Sequence, residues 1–152
     1  MAAHLALLAY ISCSPFLLYK GSDGINVDYE GHDPSLSAGF SEAIVEACNA
    51  FHEMLPGSEV SIDAPFYPHY EGRNYNYTAI ANACDYLFVM AYDGEFWDNV
   101  QCALMPAVDC AMATSSLQMN QDAVDSYLNL GVDSKKLYLG LPWYVFDVRV
   151  CV

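Results

Sequence analysis

From Asp23 onward the chain alternates between two kinds of segment. Runs at 23–29, 60–64, 86–92 and 136–141 are built from β-branched, aromatic and aliphatic residues and read as strands. Between the first two, Leu36, Phe40, Ile44, Cys48, Phe51 and Leu55 recur at helical spacing. Asp33-Pro34 supplies a cap and a first-turn residue ahead of them, and Pro56-Gly57 ends the pattern. A short helix is expected at 78–84 and a longer one at 118–130, stopping near Gly131. Residues 66–76 and 94–114 read as long loops. Strand–helix–strand order demands crossover connections, which make neighbouring strands parallel. At 152 residues, 55% hydrophobic, the chain is long enough to close a core around such units. It shows no internal repeat and no low-complexity linker.

The first strand has two chemically opposite faces. Ile25, Val27 and Tyr29 alternate with Asn26, Asp28 and Glu30, so three polar groups converge on one side. Two carboxyls held close raise the pKa of at least one, as a general acid requires. A solvated edge strand explains the same pattern, and spacing alone gives the two readings equal weight. An EF-hand loop does not fit, because its glycine follows the acidic positions and its closing Glu lies further on.

Three motifs then line up in order. Asp23 to Glu30 resembles the DGxxxDxE signature of glycoside hydrolase family 18, the chitinase-like enzymes. Met90-Ala91-Tyr92-Asp93 resembles the family's Met-x-Tyr-Asp strand end, and Gly140-Leu141-Pro142-Trp143-Tyr144 its Gly-x-Pro-x-Tyr. The resemblance covers about residues 19 to 146. It implies an α/β fold, a partial TIM (β/α)8 barrel holding about strands four to seven with their helices. Residues 19–152 are then an incomplete catalytic barrel, and its two open strand edges invite self-association.

The resemblance also assigns roles. Glu30 is the general acid that protonates the glycosidic oxygen. No carboxylate nucleophile is used: the acetamido oxygen of N-acetylglucosamine attacks the anomeric carbon, giving an oxazolinium-like intermediate and retention. Asp28 orients the acetamide, and Tyr92 donates to its oxygen. Asp93 binds substrate hydroxyls, and Met90 packs beneath the sugar, although ordinary barrel core accounts for Met90 equally well. Asn26 stands where the family more often has aspartate, and it is expected to bond Asp28. Trp143 and Tyr144 are candidates for stacking on a sugar face, with Val145 in place of the usual glycine. Asp63 is expected to face the barrel interior and to have a small part at most in binding substrate. His52, in the apolar helix, reads as structural. The implied partner is an N-acetylglucosamine oligosaccharide, with no cofactor and no metal.

Composition narrows the partners further. A net charge of −14 argues against nucleic acid and anionic membrane surfaces. The six cysteines contain no CxxC pair, so a zinc ribbon has no support, and their pairing is left open. Asn76-Tyr77-Thr78 is a glycosylation sequon. With the cysteines and the family, it points to the secretory or lysosomal route. Residues 1–18 are apolar and signal-like but lack a positive start, and Ser12, Ser14 and Pro15 argue against a spanning helix. Their position directly before the acidic strand suggests an alternative start or a fragment. Two functions follow: a glycosidase of N-acetylglucosamine oligosaccharides, or an inert or merely sugar-binding half barrel.

Overall fold

The computed structural model describes residues 22–31, 33–93 and 114–144. The apolar segment 1–18, most of the 94–114 loop and Val145 lie outside the described residues.

Four strands form one parallel sheet in the order of the chain: β1 (Gly24–Val27), β2 (Glu59–Ala64), β3 (Tyr86–Met90) and β4 (Leu137–Gly140). Helix α1 (Ser37–Met54) connects β1 to β2, α2 (Tyr77–Ala83) connects β2 to β3, and α3 (Leu117–Asn129) precedes β4. The expectation of parallel βα units holds. Among the described residues no strand pairs with the outer edge of β1 or of β4.

Register separates the two faces of the sheet. Asn26 pairs with Ser61, Ser61 with Tyr86, Asp63 with Phe88, and Phe88 with Tyr138. These residues share the concave face. The alternate positions Val60, Ile62, Ala64, Leu87, Val89 and Ala91 are buried on the other side, together with Phe40, Ile44, Cys48 and Phe51 of α1. Ile80 and Ala81 of α2 and Ala123 and Tyr127 of α3 complete this layer. The core therefore lies wholly between sheet and helices. Tyr127 donates its hydroxyl to Pro65 O at 2.5 Å, tying α3 to the end of β2. At the start of the sheet Gly24 is needed for close approach, since a Cβ there would sit 2.0 Å from the Glu59 carbonyl oxygen.

Local chemistry sets the helix ends. Asp33 accepts from Ser35 N at 3.0 Å and caps a 3-10 turn, Pro34–Leu36, which delays α1 to Ser37. Asn76 Oδ1 accepts from Ala79 N at 3.0 Å and caps α2, and Ser116 caps α3. The aromatic loop after β2 contains a second 3-10 turn, Tyr70–Gly72, with Glu71 at φ +53°.

Below the sheet, α1 is fastened twice to the start of β3. Cys48 and Cys84 form a disulfide with Cα atoms 5.2 Å apart, a pairing that the sequence left open. The other four cysteines lie outside the described residues. One turn on, His52 Nε2 lies 3.0 Å from Asp85 Oδ2, which also accepts from Val60 N at 2.6 Å. Burial pushes the Asp85 carboxyl up, but the Val60 amide, His52 and Lys136 outweigh it and hold it below its ordinary value. No helix among the described residues is long and apolar enough to cross a membrane.

Two predictions follow from this base. Replacing Cys48 and Cys84 together by alanine is expected to lower the unfolding free energy by about 2–4 kcal/mol in urea titrations. Because the Asp85 pKa is depressed, its stabilisation is complete above the ordinary aspartate value and is lost as pH falls through the lowered one. Asp85→Ala should therefore cost about 1–2 kcal/mol at neutral pH and flatten the acid limb of the stability profile. An unchanged limb would show that the carboxylate contributes nothing.

Candidate active site

The concave face turns chemical where the strands end. β1 stops at Val27, two residues before the expected boundary, so Asp28 and Glu30 stand on the segment beyond it. Continuing the register from the Val27–Ile62 pair brings residue 28 beside Asp63 on β2. Tyr92 and Asp93 follow β3 after one intervening residue, Ala91. Asp28, Glu30, Asp63, Asp93 and Tyr92 thus share the C-terminal end of a parallel sheet, where side chains are free to meet a ligand, while Asp23 of the first motif lies at the opposite end, before β1.

A hydrogen-bonded row supports them. Ser61 Oγ donates to Asn26 Oδ1 at 2.7 Å, and Asn26 Nδ2 donates to Asp63 Oδ1 at 3.0 Å. Asn26 therefore bonds Asp63, where the sequence led to an expectation of Asp28. Burial pushes the half-buried Asp63 carboxyl up; the Asn26 amide pulls it down, and the negative charges of Asp28 and Glu30 push it up again. Burial also raises Tyr92, with Asp63, Asp93, Asp28 and Glu30 adding to the effect. Tyr92 consequently keeps its O–H at any working pH and remains a hydrogen-bond donor.

The Glu30 segment is held from behind. Arg73, only 3% exposed, donates from Nη2 to the Glu30 carbonyl oxygen at 3.0 Å and to Glu71 Oε2 at 3.2 Å. Tyr75 OH reaches Gly31 O at 3.5 Å. The Tyr29 ring stacks on Phe40 with centroids 4.8 Å apart, and Phe40 meets Tyr75 at 4.5 Å. Tyr29 is thereby pulled toward the helices, which turns Asp28 and Glu30, both exposed, to the open side.

On the β4 side, Tyr144 OH donates to Asp93 Oδ1, and its ring lies edge-on to Tyr92 at 6.4 Å. Asp93 takes φ +60°, a left-handed conformation that aspartate tolerates better than most residues. Gly140 leaves room for these rings, since a Cβ there would come within 2.6 Å of Phe88 and 3.2 Å of Tyr92. Met90 pairs with Gly140 on the concave face and is partly buried. Trp143 is fully exposed and, unlike Tyr144, is not brought against the other site residues. An open depression of about 370 Å³ lies further down the same face, between Asp23, Asn26, Glu59, Ser61 and Tyr86. It meets the hydrogen-bonded row beneath the carboxyls at Asn26 and Ser61. Among the described residues no group of His, Cys, Asp and Glu side chains is placed to hold a metal ion.

Sequence reasoning placed Asp63 toward the interior without its bond to Asn26, and it missed Arg73. Asp63 had a signal, a carboxyl at an inward position of an apolar strand. Arg73 had none, because loop residues follow no period.

The family model described as "Glycosyl hydrolases family 18" matches residues 10–149. The chain belongs to this family. It is 34% identical over 129 residues to di-N-acetylchitobiase of Homo sapiens, covering 82% of this chain and 32% of that protein. The Rattus norvegicus di-N-acetylchitobiase is 36% identical over 130 residues, covering 82% and 33%. The chain spans about a third of the length of the curated relatives it matches. A chitinase from Chromobacterium violaceum superposes with a TM-score of 0.70 at 24% identity, over 92% of this chain and 43% of that one. That likeness concerns the fold: the four strands and their helices are part of an α/β barrel.

Arg73 gives the site's own prediction. Arg73→Met removes both bonds while keeping an apolar stem, and should cost about 2 kcal/mol in unfolding free energy. Amide exchange at Gly31 should quicken more than exchange within β2. Equal protection at both places would mean that Arg73 does not hold this segment.

Proposed function

We propose that this chain carries the catalytic carboxyls of a glycosidase that cleaves β-1,4-linked N-acetylglucosamine oligosaccharides, such as chitobiose cores or chitin oligomers, with retention. The observation that supports this reading is the meeting of Asp28, Glu30, Asp63 and Tyr92 at one end of the sheet. Glu30 is exposed on its side chain and anchored at its backbone, as a group that must reach a glycosidic oxygen should be. It protonates the leaving oxygen. The substrate's own acetamide oxygen attacks the anomeric carbon, so no second carboxylate has to act as nucleophile. Asp28 faces the acetamide N–H and stabilises the positive charge that develops on the ring so formed. Tyr92 donates to the acetamide oxygen and aligns it for attack. Water then opens the intermediate, with Glu30 now acting as base.

The flanking residues fit binding roles. Asp93, oriented by Tyr144, accepts from sugar hydroxyls, and Met90 lies on the floor of the concave face. Trp143 and Tyr144 offer aromatic surfaces for stacking on a sugar ring. The Cys48–Cys84 disulfide and the exposed Asn76 of the sequon support passage through the secretory route to a lysosomal or secreted location, with a glycan at Asn76. One observation favours the second reading, a half barrel that binds sugar or is inert. Tyr138, which shares the face of Phe88, is exposed, so water is not excluded from the described part of the site.

The test is hydrolysis of a fluorogenic N,N′-diacetylchitobioside from mildly acidic to neutral pH. Glu30→Gln is expected to lower turnover by at least about 10²-fold with little change in KM. Undiminished turnover in this variant would remove Glu30 from its role. If the wild-type chain binds the disaccharide without turnover, the second reading holds.

A further inference from the structure

We infer that Asp63 is the proton-sharing partner of Asp28, and that Ser61 and Asn26 hold it in place for that task. The inference rests on the proposed glycosidase reading and adds a positioning residue to it. Three observations carry it.

The first is register. β1 and β2 pair as Asn26–Ser61 and Val27–Ile62, the next positions along this register beyond the end of β1 are 28 and 63, and the Asp28 charge acts on Asp63. The second is the direction of the hydrogen bonds. Ser61 can supply only its hydroxyl proton to Asn26 Oδ1, which forces the amide to present its N–H to Asp63 Oδ1. Oδ1 is thereby fixed as an acceptor, and Oδ2 is the oxygen left to carry a proton. An amide at position 26 has no proton to give up or take, so the site's exchangeable proton cannot rest there. The third is the surroundings. The titratable groups around Asp63 are Asp28 and Glu30 beyond β1 and Tyr92 beyond β3, none of them a cation, while Phe88 flanks it on β3. Burial and two negative neighbours both favour the protonated form of Asp63.

The proton then has a defined course. In the free site one proton is shared by Asp28 and Asp63. When an acetamide N–H approaches Asp28, that carboxyl must accept, and the shared proton settles on Asp63 Oδ2. Asp28 then faces the forming ring as a carboxylate beside a neutral Asp63. After product leaves, the proton is shared again, so none is gained or lost over the cycle. Glu30's proton, which goes to the leaving oxygen, is separate. The pair titrates as a unit, and neither carboxyl owns its apparent pKa.

Two measurements on the full chain test this. The first, carboxyl carbon NMR titration, does not depend on turnover. Asp63 should titrate above the ordinary aspartate range, fall in Asp28→Asn and rise in Asn26→Ala. The same spectra report whether each variant is folded. An Asp63 titration indifferent to Asp28→Asn overturns the inference. The second is the pH profile of chitobioside hydrolysis. Asp63→Asn should lower kcat about tenfold, leave KM nearly unchanged and move the acid limb to lower pH. The exchanged pair Asn26→Asp with Asp63→Asn should recover most of that loss, which a merely structural role would not do. An unchanged kcat and limb in Asp63→Asn also overturns it. If the wild-type chain neither turns over nor binds the disaccharide, the glycosidase reading fails, and the NMR titration still decides whether the two carboxyls share a proton.

Discussion

The pairing of β2 with its neighbours in one register is what the rest of the structure hangs on. Side chains alternate along a strand, so a slip by one residue would exchange the two faces of the sheet. Val60, Ile62 and Ala64 would leave the helix layer, and Ser61 and Asp63 would enter it. Burying a carboxylate among Ile44, Phe51 and Leu87 without a partner costs several kcal/mol, about as much as a small domain's whole stability. The hydrophobic layer thus selects the register, and the register aligns Asn26, Ser61 and Asp63 with Asp28. Core and site are two sides of a single choice.

Beyond the strand ends that control lapses, and specific contacts replace it. The residues that touch substrate in the proposed reaction sit on segments with no ladder bonds, as functional residues commonly do. Arg73 compensates by fastening a carbonyl, Tyr29 by stacking, and Asp93 through Tyr144. The Arg73 and Tyr29 contacts act on the backbone or on a neighbouring side chain, so the Asp28 and Glu30 carboxyls face outward, whereas Tyr144 bonds the Asp93 carboxylate itself. An arginine 3% exposed is an expensive way to hold one loop carbonyl. Its presence marks the Glu30 segment as one whose position the protein specifies closely.

Much of this was legible beforehand, and the reasons differ residue by residue. The strands and α1 follow from periodicity, which reports burial directly. Asp33, Pro34 and Pro56-Gly57 mark ends because their backbone and capping chemistry are local. The Asp28, Glu30 and Tyr92 cluster was visible through motif order, although the strand stops short of the carboxyls because they need to leave the ladder. The Asn26–Asp63 bond was hidden, since it joins residues 37 apart and depends on a register that no local pattern states. The Cys48–Cys84 pairing was hidden for the same reason. Arg73 could not be found from its neighbours, because its meaning lies in a carbonyl 43 positions earlier.

That disulfide also has a mechanical consequence. Residues 48 and 84, separated by 36 positions, close a covalent ring that contains all of β2, α2, Asp63, Arg73 and Tyr75. Tension applied to the two ends of the chain passes from Cys48 to Cys84 through the sulfur bridge and never loads the segment between them. Under pulling, as at the mouth of a protease or a translocation pore, the extensible length is that of the chain outside the ring. The part that supports the carboxyls would be carried along as a closed loop, and threading it through a narrow opening requires two strands side by side or prior reduction.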